Sequence, residues 1–133
     1  MRHISFCAAA TALLIAPAVA GAQVRWKEIG RTSSGNHVFL DPKSVHARKE
    51  LIDATVRVVF TAPVESRQGA LYAARTTGTF NCTTRKLAVK ENTFFGNAKE
   101  TRTIQHTVNT IPGFGWVPDG SFGAVALDYL CRK

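Results

Sequence analysis

Acidic residues are scarce in this chain of 133. Nine Asp and Glu stand against seventeen Lys and Arg, for a formal net charge of +8 at pH 7. That balance favours anionic partners: acidic polysaccharide, lipid headgroups or acidic protein surfaces. No apolar run reaches the ~20 residues that a membrane-spanning helix needs. Internal repeats, low-complexity tracts and linkers are absent, so the chain reads as one domain. No Walker loop, HExxH or Gly-x-Ser-x-Gly occurs, which leaves those enzyme classes without their motifs. Only three cysteines are present, Cys7, Cys82 and Cys131.

The amino-terminal stretch MRHISFCAAATALLIAPAVAGAQ has a basic start at Arg2, an apolar run from Ile4 to Ile15, and small residues after Pro17. Ala20-Gly21-Ala22 fits a small-x-small cleavage site, and Ala18-Val19-Ala20 is a second candidate. Residues 1–22 are therefore expected to be a signal peptide and 23–133 the exported domain. Cys7 lies inside the apolar run, whereas a lipidation cysteine would directly follow the cleavage site, so no lipid anchor is expected. Cys82 and Cys131 remain. In an exported protein an even pair reads as a disulfide. The alternatives are free thiols or a metal site, but two cysteines are half of a structural zinc set and His37, His46 and His106 show no ligand spacing. No metal and no cofactor are expected, and export argues against nucleic acid.

Short β-branched runs separated by turn residues dominate residues 24–109. VRWKEI (24–29) and HVFLD (37–41) read as strands around a turn at TSSGN. Pro42 suits the second position of a turn that Asp41 and Ser44 stabilise. LIDATVRVVFTAP (51–63) alternates, with Ala54, Val56, Val58 and Phe60 on a dry face and Thr55, Arg57, Val59 and Thr61 on a polar one. ALYAARTTGTFNC (70–82) repeats the pattern less cleanly, and Gly78 marks a bulge or a close backbone approach. TRKLAVKENTFF and ETRTIQHTVN supply two further extended segments. The period then changes. Phe122, Val125, Ala126, Tyr129 and Leu130 form a helical stripe, with Asp119 or Ser121 as its cap. A disulfide from Cys131 to Cys82 would pin that short helix to the end of a strand.

Catalytic groupings are weak. Asp41, Ser44 and His46 share one turn and read as turn formers rather than a triad. Glu28, Asp53, Glu91 and Glu100 are carboxylates that only folding could bring together for glycoside chemistry. Asn81-Cys82-Thr83 matches a glycosylation sequon whose middle residue is the expected bridge cysteine, so it is discounted. Two patches remain as binding candidates. Arg85, Lys86, Lys90, Lys99 and Arg102 form a basic set opposed by Glu91 and Glu100, with solvated edge strands as the plainer explanation. Phe114 and Trp116 in PGFGWVP form an aromatic one, expected to pack beneath the carboxyl-terminal helix because large aromatics are mostly buried.

Several stretches together resemble the bacterial surface-adhesin protein E family: Trp26-x-x-Ile29, VFLDPKSV (38–45), YAARTTGTFNC (72–82), and WVPDGS followed by YLC (116–131). The resemblance spans nearly all of the chain after residue 22. It implies an α+β fold, a curved antiparallel sheet of about six strands with a carboxyl-terminal helix held on one face by the Cys82–Cys131 disulfide. It also implies a non-enzymatic binding protein, periplasmic, secreted or associated with the cell surface, with host vitronectin, laminin and plasminogen as partner types. Arg67 and Arg75 are the positions nearest the family's vitronectin-binding basic residues. The partner classes are thus a protein, an anionic polysaccharide or an envelope component. The second functional reading is a periplasmic structural or assembly factor without adhesin activity. Oligomeric state is not legible from the sequence.

Overall fold

The computed structural model describes residues 11–15 and 23–132. Most of the expected signal peptide lies outside these residues. Eight strands and one helix follow in order: β1 Lys27–Arg31, β2 His37–Leu40, β3 His46–Arg48, β4 Leu51–Ser66, β5 Gly69–Asn81, β6 Lys86–Phe95, β7 Thr103–Val108, β8 Phe114–Trp116 and α1 Phe122–Leu130. All eight strands belong to one antiparallel sheet. Six run in the order β1-β2-β4-β5-β6-β7, while β3 adds to β4 and β8 adds to β6. The expectation of about six strands is corrected to eight. The two additions are three residues each, too short to show a period of two; β3 forms a tight hairpin with β4, and β8 is defined only by its long-range pairing with β6.

Strand β4 shows why the sheet has two different faces. Ile52, Ala54, Val56 and Val58 are buried, while Asp53, Thr55, Arg57 and Val59 between them are half-buried on the other side. The strand passes Pro63, the expected end, and continues to Ser66. Proline has no N–H to give, and the β4–β5 ladder shifts register between Val59 and Val64 before resuming at Val64 opposite Leu71. On β5, Gly78 stands where the β5–β6 register shifts. A Cβ there would sit 2.6 Å from the Ala88 carbonyl oxygen, so the bulge and the close approach are both present.

Helix α1 lies on the face that carries Val56 and Phe80. The core there comprises Val38, Leu40, Ala54, Val56, Phe80, Leu87, Ala126 and Leu127. The helix starts where Ser121 Oγ accepts a hydrogen bond from the Ala124 amide. Its most buried residues are Gly123, Ala126 and Leu127, so the inward stripe is rotated from the one expected and takes in Gly123 and Leu127. Gly123 seats the first turn against Val117, where a Cβ would fall 2.9 Å from Val117 Cγ1. Nine residues make a helix that is marginal alone. Tertiary contacts hold it, and so does the Cys82–Cys131 disulfide, which joins two positions 49 residues apart. Asp41 and Ser44 act as the sequence suggests. Asp41 Oδ1 accepts from the Lys43 amide, and Ser44 Oγ donates to the Asp41 carbonyl while accepting from the Thr55 amide.

Candidate functional site

The polar face of the sheet is assembled from residues distant in sequence. Arg57 on β4 and Arg75 on β5 are direct cross-strand partners. Like charges in that relation repel. Glu100, from the loop between β6 and β7, resolves the repulsion. Its Oε1 accepts from Arg75 Nε at 3.0 Å, and its Oε2 accepts from Arg75 Nη2 at 3.1 Å. Arg57 Nε lies 3.0 Å from Oε2, an ion pair whose angle is too bent for a hydrogen bond. The two guanidinium groups also stack near Trp26, at 5.8 and 5.5 Å from its ring centre, with Phe39 beside Arg57 and Phe95 beside Arg75. Glu100 adopts a left-handed backbone, φ 58°, to reach this position.

Further along the same face Asp53 accepts from Thr79 Oγ1 at 2.6 Å, and from Lys90 Nζ and Arg48 Nη2 at 3.2 Å each. The Thr79 hydrogen bond is the main reason that its carboxyl titrates below the ordinary carboxylate range, with Lys90 and Arg48 adding to the effect against partial desolvation. Glu91 pairs with His106 and Glu28 with His37. The four carboxylates singled out in the sequence are thus held by four different sets of partners.

The basic residues do not form one patch. Arg67 is in the β4–β5 turn, and Lys99 and Arg102 are in the β6–β7 loop at that same end of the sheet. Arg85 and Lys86 are at the opposite end, by the β5–β6 turn. Arg75 and Lys90 lie on the face between them. Arg75, Arg85 and Lys90 are engaged by Glu100, Asp128 and Asp53 respectively, and Arg102 Nη2 donates to the Gly96 carbonyl. Among the described residues Arg67, Lys86 and Lys99 have no acidic partner within ion-pair distance.

Phe114 and Trp116 are not beneath the helix. They are exposed on β8, Trp116 at 76 %. The helix footprint is already filled by Phe80, Leu87 and Leu127, and Gly123 is closed against Val117, which leaves no space for an indole. Strands β7 and β8 run one after the other along the same edge of β6. Val108, Ile111 (92 % exposed), Phe114 and Trp116 therefore form an apolar ridge along one margin of the sheet. Beside it opens a groove of about 730 Å³, with Leu87, Val89, Ile111, Trp116, Val117 and Phe122 in its wall and, among the described residues, no charged residue lining it. Among the described residues no strand pairs with the outer edge of β7. The Asn109 amide bonds to the Lys90 carbonyl, and the two-residue period then turns the backbone groups of His106 and Val108 outward. Edges of this kind are usually guarded by lysine or proline, and β7 (TIQHTV) has neither. Sequence reasoning marked Phe114 and Trp116 as a candidate but missed Val108 and Ile111, because nothing local shows that the loop between β7 and β8 lies on the same margin.

The family model for surface-adhesin protein E matches residues 26–132. The chain belongs to the surface-adhesin protein E family. Among solved structures, crystal form II of Haemophilus influenzae protein E is similar with a TM-score of 0.52 at 15 % identity, covering 90 % of this chain and 96 % of that one. A selenomethionine form of Haemophilus influenzae protein E has a TM-score of 0.49 at 14 % identity, covering 84 % and 90 %. No curated protein matches the chain. At this identity the likeness to form II establishes the shared fold, an antiparallel sheet with one carboxyl-terminal helix. Among the described residues no helix is long and apolar enough to cross a membrane.

Proposed function

We propose that this protein is an exported, non-enzymatic binding protein that takes protein partners along the β7–β8 margin of its sheet. One observation carries the reading: four large apolar side chains, Val108, Ile111, Phe114 and Trp116, stand exposed along the β7–β8 margin, with outward-facing backbone groups of β7 beside them. Exposed apolar groups on one surface mark interaction sites, and tryptophan dominates the energy of many interfaces. An extended partner segment adds to the edge by main-chain hydrogen bonds and sets an apolar side chain in the groove. Arg67, Lys86 and Lys99 supply long-range attraction for an acidic partner. Family membership supports host matrix proteins, vitronectin and laminin, as the partners to try first.

Surface plasmon resonance of residues 23–133 over immobilised vitronectin, laminin and heparin tests this, at low and at high salt. Binding to a matrix protein that survives high salt is expected, since the ridge is apolar and the charges only steer. Binding to heparin alone, abolished by salt, would reduce the protein to a general polyanion binder. No binding to either matrix protein at low salt would contradict the proposed partners.

A further inference from the structure

A second cavity lies on the helix face, meeting the groove of the ridge only at Ser121 and Phe122. Strands β4 and β5 are 16 and 13 residues long, roughly 50 and 40 Å at strand rise, whereas α1 has 9 residues and is roughly 14 Å long. The helix therefore cannot cover the apolar face that the strands present. Beyond its first turn, Val58, Phe60, Ala74 and Phe94 continue that face without a helix above them. The β1–β2 turn folds over this ground instead. The Ser33 amide donates to the Gly120 carbonyl just ahead of the helix, and Asn36 Oδ1 accepts from the Thr61 amide. Between turn, helix start and sheet remains a cavity of about 410 Å³. That is within the range of small-molecule sites.

Its chemistry is mixed in a defined way. The floor is apolar. The walls carry hydroxyls and amides from Ser34, Asn36, Thr76 and Asn92. The bond from Thr61 fixes the orientation of Asn36, so the Nδ2 of its amide keeps its hydrogens free to donate. Thr76 is buried and pairs its hydroxyl with Asn92 Oδ1 at 2.9 Å, which places a polar pair at the base of an apolar hollow. Among the described residues no Lys or Arg lines the cavity, although the chain carries a net +8, and Asp119 is the one ionisable residue there. An anionic ligand would meet a carboxylate and no cation.

We infer that this cavity is a binding site for a small uncharged amphiphile, with an acyl or aryl body on the Val58-Phe60-Phe94 floor and a hydroxylated head among Ser34, Asn36 and Asn92. The site adjoins the groove of the β7–β8 margin at Ser121 and Phe122 but has its own floor and polar walls, and its test does not depend on any protein partner.

The experiment titrates octyl glucoside, below its micellar concentration, into isotope-labelled protein and follows backbone amide shifts. Octyl sulfate serves as the anionic control and octyltrimethylammonium as the cationic one. Saturable shifts at Ser33, Thr76, Asn92 and Gly120 are expected with octyl glucoside, at least tenfold weaker with octyl sulfate. Ser34→Phe adds a side chain at an exposed rim position, so it leaves the melting temperature unchanged and weakens binding at least tenfold. Trp116→Ala leaves it unchanged. Octyl sulfate or octyltrimethylammonium binding as tightly as the glucoside would overturn the assignment. So would shifts confined to residues 108–116, or Ser34→Phe binding as well as the wild type.

Discussion

Glu100→Gln is expected to destabilise the protein far more than an ordinary surface substitution. The carboxylate is only 5 % exposed and holds apart two arginines that face each other across β4 and β5. Glutamine keeps the shape and the left-handed backbone but removes the charge, so neither side-chain volume nor backbone strain enters the difference. Removing one partner of a fully buried ion pair costs about 3–5 kcal/mol. Arg57 is 20 % and Arg75 is 40 % exposed, so solvent screens part of that loss. About 2–3 kcal/mol is expected, a drop of roughly 10–20 °C in melting temperature for a domain of this size. Urea denaturation with an unchanged m-value gives the energy directly. Adding Arg75→Met to Glu100→Gln removes the repulsion as well, so the double variant should lose about 1 kcal/mol less than the two single losses added together. A Glu100→Gln loss below about 0.5 kcal/mol would show that Glu100 does not hold the arginine pair together, because the cluster would then be worth no more than an exposed ion pair.

Three further expectations rest on other parts of the molecule. Replacing Cys82 and Cys131 together by serine opens a 49-residue loop and should cost about 4 kcal/mol by chain entropy, measured by denaturation of both forms. A loss under 1 kcal/mol would mean that packing alone holds α1. Asp53→Asn should cost about 1 kcal/mol at pH 7, since it weakens the bonds from Thr79, Lys90 and Arg48. The folded-state pKa of Asp53 is depressed, so its contribution is complete above the unfolded value of about 3.9 and is lost as pH falls through the lower folded value. Wild type and Asp53→Asn should therefore converge in stability as the pH falls through the folded-state value, below the unfolded one, and a gap that does not narrow on acidification would exclude the carboxylate as its source. Ile111→Ser and Trp116→Ala change exposed side chains only, and each should move stability by no more than about 0.5 kcal/mol in thermal melts.

What the sequence made legible follows from how local each signal is. The dry face of β4 repeats every second residue, so Ala54, Val56 and Val58 could be placed before any contact was known, and they are buried. The turn at Asp41 and Ser44 and the cap at Ser121 involve neighbours within four residues. The pairing of Cys82 with Cys131 needed only compartment and count. The candidate sites were different. Glu100 reaches Arg75 across 25 residues through a register that no local pattern encodes. Phe114 and Trp116 carry the composition of core residues, and their exposure follows from an already full helix footprint. The cavity by Asn92 exists because a nine-residue helix covers only part of a long sheet, a mismatch visible only when both lengths and their placement are known.

The β7–β8 margin is the surface proposed to bind protein partners. Wild type and the Ile111→Ser/Trp116→Ala double variant should be compared by surface plasmon resonance on immobilised vitronectin and laminin. Binding by the wild type to at least one of them is expected, with a loss of tenfold or more in the variant and melting temperatures alike. Equal binding by the two proteins would contradict this role of the margin.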